Sequence, residues 1–520
     1  MAYTPTKKTD FDSRLAPLLP DYSHAPPDAR FIELLQTNAL PTAFERQSLE
    51  ATLSETPDHI AELDSLIHST TSLLRYLTQD RNQALQNQAN AKKILTPSRR
   101  LPSEMLIAIF TWCQALHGGR GPPLDPRAVP WTLTHVCRKW RVVAIATPEI
   151  WSSICLDFVH DKFLRGSRIH EAAFMLGIIL DRARPLDLNV IIHHKDDIST
   201  HPACAVLLPS VRYWKFLEVS GMPCQLGFLS PCRGFFERLE TVVVQGSHHG
   251  GPEVIDMFSV APHLRSFTKS LQPTFLLPAN LVEFYDSNPF NENTCTTLRH
   301  LVNIENLSLS CSSYSSALPR IFLPRLSQLR LKMDRQRVGT AFVTYNHFDL
   351  PSLTHLKIWF SYSQPMVPPQ IPQPIHSSTV TSLTLTWAPF MSQKISASDI
   401  GLDLRLPNLR CLTVEDCPNI NPLLGSLSIH PGRNAMFPKM SKLDISCGRN
   451  FGSSEDFLDM HALVELVHSR RVHGALRSFQ VAWQRGLVND DADTRSRWQQ
   501  LSAPGGGIQI SASIKGLEAN

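Results

Sequence analysis

One phrase, apolar-x-x-apolar-x-apolar, recurs between residues 206 and 484 and limits what this chain can fold into more than any other feature. It reads Leu239/Val242/Val244, Ile304/Leu307/Leu309, Leu326/Leu329/Leu331, Leu353/Leu356/Ile358, Val380/Leu383/Leu385, Leu409/Leu412/Val414, Met440/Leu443/Ile445 and Leu476/Phe479/Val481. Weaker copies begin at Val211, Leu264 and Leu281. From Leu281 onward the starts lie 23, 22, 27, 27, 29, 31 and 36 residues apart. The last two apolar positions alternate as on a strand, and one copy alone could bury almost nothing. The copies must therefore stack, each burying the next, and the expectation is a solenoid rather than a mixed sheet whose strands merely share phase.

The rest of the composition fits a folded chain that binds proteins. At about 150 residues per domain, 520 residues suggest three domains or one long array. Proline is high, at 39 residues, partly because Leu323-Pro324, Leu350-Pro351, Leu406-Pro407 and Phe437-Pro438 introduce phrases. A formal charge of +4 is too small to suggest nucleic acid or an anionic membrane surface. The first residues lack a signal peptide's apolar core, and the longest apolar run, Phe174 to Leu180, is far short of a membrane span. Cytoplasmic and/or nuclear placement is expected, with the 11 cysteines reduced and no C-x-x-C pair among them.

Residues 1–56, rich in proline, read as an extended or disordered arm. Across 57–95 a heptad helix is predicted from Ile60, Leu63, Ile67, Leu74 and Leu77, with Thr70 filling one position and Arg81 and Ala84 continuing the phase less well. It fits either a coiled-coil homodimer through residues 57–93 or a helix packing back on its own chain. Residues 96–156 predict three short helices. The first places Leu106, Ile109, Phe110 and Cys113 on one stripe after Leu101-Pro102. A second carries Leu133, Val136, Cys137, Trp140 and Ala144, and a third, after Thr147-Pro148, carries Ile150, Trp151 and Ile154. So small a module needs a neighbour or partner to pack against.

The stretches RRLPSEMLIAIFTWC and WTLTHVCRKWRVVAIATPEIWSSI resemble an F-box of the kind abundant in mushroom-forming fungi. The run Lys93-Ile94-Leu95-Thr96-Pro97-Ser98-Arg99-Arg100-Leu101-Pro102 is similar to the sequence leading into that box, and Leu35-Gln36-Thr37-Asn38 with Pro41 and Glu45 to the segment before its heptads. The likeness covers residues 35–155, and the Gly/Pro loop at 117–130 is longer than a minimal box needs. The resemblance implies docking on a Skp-type adaptor and, through it, a cullin. The implied contacts are Leu101, Pro102, Leu106, Ile109, Phe110, Val136 and Trp140. The bland reading makes them an internal core, Trp140, Trp151 and Ile154 foremost.

The phrases in turn resemble divergent leucine-rich repeats, the irregular kind attached to F-boxes. The position eight after the first apolar residue is Asp334 in one copy and Cys417 in another, but Ser312, Ser361 and Ala388 elsewhere. The phase turns Gln328, Arg330, Lys332, His355, Lys357, Trp359, Thr413 and Glu415 outward. Arg330, Lys332, Lys357 and Trp359 are the candidate substrate contacts, because Trp and Arg are common interface anchors. Against this, strand-face lysines are usually only solvated. Residues 157–205 read as linker helices, Glu455 to Arg471 as a helix, and 485–520 as a mobile loop and C-terminal tail with a strand near Ile508 and Ile510.

Nothing here reads as a catalytic, metal or cofactor site. His193-His194 and His248-His249 are adjacent pairs that do not converge on one ion and fit surface loops. No nucleophile elbow, P-loop or dinucleotide fingerprint occurs. The predicted fold is an α+β or α/β solenoid behind a heptad helix and a three-helix F-box. The expected function is the non-catalytic substrate-recognition subunit of a Skp-cullin-F-box ubiquitin ligase with an unidentified protein substrate. The alternatives are an adaptor-bound scaffold outside the ligase and a hydrolase hidden in the C-terminal region.

Overall fold

The computed structural model describes residues 29–116, 124–162, 164–221, 223–246, 254–311, 320–333, 345, 347–360, 375–387, 404–417, 420–430, 432, 435–447, 457–483, 487–503 and 508–514. It divides into two units, residues 1–101 and 102–520.

The first unit is helical. Helix α1 spans Ala29–Thr37 and α2 spans Ala43–Ile94, neither with a buried residue. A capping box starts α2: the N–H of Glu45 donates to Thr42 Oγ1 at 3.3 Å, and the N–H of Thr42 donates to Glu45 Oε2 at 2.6 Å. The heptad helix expected from residue 57 therefore begins at Ala43 and runs through Pro57, and residues 29–56 are largely helical rather than extended. A proline removes one intrahelical hydrogen bond, which a helix of 52 residues absorbs.

The second unit opens with α3 (Ser103–Leu116), α4 (Trp131–Val136) and α5 (Arg138–Ile145). The single second helix expected here is broken at Cys137, whose backbone is extended (φ −161°, ψ 172°). The expected third helix is only a 3-10 turn, Pro148–Ile150, after which Ser153–Asp157 forms a strand. Ile150, Trp151 and Ile154 are all buried, so the apolar spacing there served a turn and a strand.

From that point the described residues build one parallel sheet of fourteen strands, which follow one another across it in the order of the chain. Its strands are β1 (Ser153–Asp157), β2 (Leu188–His193), β3 (Trp214–Ser220), β4 (Thr241–Gln245), β5 (Ser266–Lys269), β6 (Glu283–Pro289) and β7 (Asn306–Cys311). They continue with β8 (Gln328–Met333), β9 (His355–Phe360), β10 (Ser382–Trp387), β11 (Cys411–Glu415), β12 (Lys442–Cys447), β13 (Ser478–Trp483) and β14 (Gln509–Ile514). Each of the eight strong phrases places its last two apolar residues on one of these strands and its first apolar residue two residues ahead of it, and the weaker copies lead into β3, β5 and β6. The sheet begins earlier than expected, because residues 157–205 hold β2 with α6 (Ile169–Ala183) and α7 (Pro202–Leu207).

Register explains the phrase. Leu307, Leu329, Leu356, Leu383, Leu412 and Leu443 are cross-strand partners in one buried row, and Leu309, Leu331, Ile358, Leu385, Val414 and Ile445 form the next. Burying each such side chain contributes about 2 kcal/mol. Among the described residues four short parallel pairs recur outside this sheet, one of them Ile321–Phe322 with Phe348–Asp349. Before many strands a tight turn closes, as where the N–H of Leu353 donates to Leu350 O and that of Leu409 to Leu406 O. Side chains in these turns link successive copies: Ser352 Oγ donates to Pro324 O at 2.6 Å, and Asn408 Nδ2 to Ser378 O at 2.7 Å.

The C-terminal part carries α8 (Glu292–Leu298) between strands, then α9 (Asn421–Leu427), α10 (Met460–His473) and α11 (Ala492–Ser502). The strand expected near Ile508 and Ile510 is β14, the last of the sheet, but residues 492–502, expected within a mobile loop, form a helix capped by Asp491. Trp498 and Leu501 on α11 are buried. In the interior, fully buried Arg470 on α10 donates to Leu427 O at 2.7 Å, Phe437 O at 2.9 Å and Met436 O.

Candidate functional site

Two surfaces of the second unit carry the sequence-derived candidates, apart from Leu101, which ends the first unit. On α3, Leu106 and Phe110 face inward with no exposed area, and the Phe110 ring lies 5.0 Å from that of Trp140. They belong to the internal core of the module and cannot serve as surface contacts while it stays folded. Trp140, Ile109 and Leu101 are half-buried, Pro102 is exposed, and Val136 is 58% exposed because the break at Cys137 takes it off the inward stripe. Trp151 ties α5 of the module to α6: its Nε1–H donates to Ala144 O at 2.8 Å. The Arg182 guanidinium lies 4.4 Å above the Trp151 ring and 5.1 Å from that of Trp131.

What the sequence reading missed is a second apolar stripe on α3. Met105, Trp112 and Leu116 are 52%, 72% and 73% exposed, and half-buried Ile109 continues the same line. Their spacing of four, three and four residues is as regular as that of Leu106, Phe110 and Cys113. Choosing a single stripe concealed it. Val142 and Ile145 on α5 are also exposed.

The outer face of the sheet brings the other candidates together. Arg330 is the cross-strand partner of Lys357, and Lys332 of Trp359. The Lys332 ammonium sits 5.0 Å from the centre of the Trp359 ring. Lys357 donates to Glu415 Oε2 at 3.1 Å, two strands away, and the Thr386 hydroxyl donates to the same oxygen at 2.6 Å. Burial pushes the Glu415 carboxyl up, but the Thr386 hydroxyl and the Lys357 ammonium outweigh it and hold the group below its ordinary value. Arg330 makes no ion pair or hydrogen bond among the described residues.

Two adjoining hollows lie over this face, of about 160 and 320 Å³. Arg330, Tyr285 and Ser308 line both; Lys357, His355 and Gln328 extend the first, Lys332 and Trp359 the second. Burial and the nearby Glu283 carboxylate raise the Tyr285 hydroxyl, which therefore stays a neutral donor. Tyr285 was not among the sequence candidates. Its weak phrase, Leu281/Phe284, has an aspartate in the last apolar position.

Among the described residues no group of three or more His, Cys, Asp or Glu side chains is placed to hold a metal. His194 is buried rather than on a surface loop, its ring edge-on to Phe228; His248 and His249 lie outside the described residues. Burial pushes the thiols of Cys204 up to about 12 and of Cys232 and Cys295 up to about 11, which disfavours the thiolate a nucleophile needs. Cys417 is buried, and Asp334, Ser312, Ser361 and Ala388 fall outside the described residues. No described helix is long and apolar enough to cross a membrane. In comparisons with known proteins, the chain matches no protein-family model and no curated sequence.

Proposed function

We propose that the chain is a substrate-recognition subunit of a Skp-cullin-F-box ubiquitin ligase. In this reading residues 96–156 are the F-box, and the parallel sheet with its return segments is a divergent leucine-rich-repeat solenoid. The observation that carries the proposal is the stripe of exposed Met105, Trp112 and Leu116 with half-buried Ile109, on a helix whose other apolar stripe already fills the module's core. An apolar stripe of this kind, left over after the core is filled, is what a partner helix or groove would cover. The Skp-type adaptor would seat there and lead to a cullin.

The chain then has no catalytic step of its own. It holds a target protein on the outer sheet face and raises the effective concentration of the target's lysines near the charged ubiquitin. The long helix α2, with no buried residue, would pair with a second copy through the Ile60, Ile67 and Leu74 seam.

Co-purification with a recombinant Skp-type adaptor tests the reading. Wild type is expected to retain it and Trp112→Asp with Leu116→Asp to lose it, with circular dichroism unchanged. Failure of the wild type to bind, or equal binding by the variant, overturns the proposal. Retention of the adaptor without the cullin would instead place the chain outside the ligase.

A further inference from the structure

We propose that the groove over β8 and β9 takes an extended, acidic protein segment, with a carboxylate side chain on Arg330 and an apolar side chain two residues away on Trp359. This deepens, and rests on, the reading of the chain as a substrate-recognition subunit.

Charge is the first argument. The groove lining holds three cations, Arg330, Lys332 and Lys357, and one carboxylate, Asp286. Asp286 has nothing left to offer a ligand, since it accepts from the Asn288 N–H, the Asn288 amide and the Thr294 hydroxyl and lies 3.0 Å from the Lys269 ammonium. Glu415, paired with Lys357, and Glu283, which accepts from the Asn306 amide, border the groove, so the charge left over among the described residues is that of Arg330 and Lys332.

Geometry is the second. Arg330 occupies the third position of its strand and Trp359 the fifth position of the neighbouring one. With strands about 4.8 Å apart and about 3.3 Å of rise per residue, their Cα atoms are separated by about 8 Å. Side chains on the same face of an extended segment stand about 7 Å apart, at i and i+2. An acidic residue and an apolar one in that relation would meet the guanidinium and the indole together.

The anion is assigned as a carboxylate. Lys357 is engaged by Glu415 and Lys332 lies over the Trp359 ring, which leaves Arg330 as the cation with a free fork. A planar guanidinium matches a carboxylate through two parallel hydrogen bonds. The same fork also matches a phosphate, but with the Lys357 charge already held by Glu415 the site favours the single charge of a carboxylate over a dianion.

A phage-displayed random dodecapeptide library selected on the full chain tests this. Enriched sequences are expected to carry Asp or Glu two residues from an aromatic or aliphatic residue. Synthetic copies should lose roughly fivefold or more in affinity on Arg330→Gln and on Asp→Asn in the peptide, and weaken with salt. Enrichment without acidic residues, no enrichment over the Arg330→Gln chain, or indifference to Trp359→Ala overturns the proposal. If phosphoserine in place of the acid binds more than tenfold tighter, and Lys357→Gln removes that gain, the carboxylate assignment is overturned. Peptide selection needs no adaptor, so peptide binding without adaptor binding would sink the ligase reading alone, and the converse would sink this one.

Discussion

Lys269 and Asp286 are cross-strand partners on β5 and β6, 3.0 Å apart and both fully buried, in the inward row that neighbouring strands fill with aliphatic side chains. Their contact is close but poorly aligned for hydrogen bonding, so the ammonium depends on the carboxylate's charge and on the Phe275 ring, 6.0 Å away. Lys269→Met leaves Asp286 buried without its cation and is expected to cost about 3–5 kcal/mol. Adding Asp286→Asn, which keeps acceptors for Asn288 and Thr294, is expected to recover most of it. Urea denaturation of the single and double variants measures both.

Arg470 is buried with no carboxylate partner among the described residues, and burial pulls its guanidinium down to about 10, so it is still charged at neutral pH. Its three carbonyl acceptors are what make that charge tolerable. Arg470→Lys, whose ammonium cannot span the same three, is expected to lose about 2 kcal/mol or more. Arg470→Met orphans the carbonyls outright and is expected to cost more. Thermal melts of the two variants test the order.

Leu106 and Trp112 sit on one helix with opposite expected consequences. Leu106→Ala opens a cavity in the module core and is expected to cost about 2–5 kcal/mol. Trp112→Ala is expected to change stability by under about 0.5 kcal/mol while weakening adaptor binding. Equal destabilisation by the two would show that Trp112 is covered within the chain.

Glu415 ties the sheet face to acid pH. A carboxyl held below its ordinary 4.5 in the fold contributes stability that is present above that value and is lost as pH falls through the lower folded value. The pair is about a third exposed, so the contribution is under about 1 kcal/mol. Glu415→Gln is expected to flatten the stability profile between about pH 5 and 3, read from melting temperature across that range. An unchanged slope would show that Lys357 and Thr386 do not hold the carboxylate.

Helix α2 predicts an assembly state. Sedimentation of the full chain is expected to show a dimer, and Ile67→Asp with Leu74→Asp a monomer, with the melting of the sheet unaffected. A monomeric wild type would remove the pairing of α2 from the reading.

The strands were legible because register repeats: any residue set that must meet its counterpart on the next strand writes itself into the sequence at a fixed place in the phrase. Even the buried ion pair was visible, since Leu264/Phe267 and Leu281/Phe284 fail to complete the phrase only at Lys269 and Asp286. What periodicity could not settle was direction. Helix α3 has two apolar stripes of equal regularity, and only packing shows that Leu106 turns in and Trp112 out. Ile150, Trp151 and Ile154 fit a helical step, yet a turn and a strand bury them equally well. The start of α2 was legible in the capping box Thr42 to Glu45 but was masked by Pro57. The groove over Arg330 and Trp359 was legible in phase, while its wall at Tyr285 required knowing which strand lies two places away.

Phrase starts 22 to 36 residues apart share one register across the sheet. The rungs are therefore evenly pitched while the returns between them vary in length. A change of length in a return leaves the neighbouring rungs in place, and a change at an outward rung position alters the face without disturbing the interior. Such a frame can be lengthened or re-lettered one rung at a time, and its specificity can drift while its architecture holds.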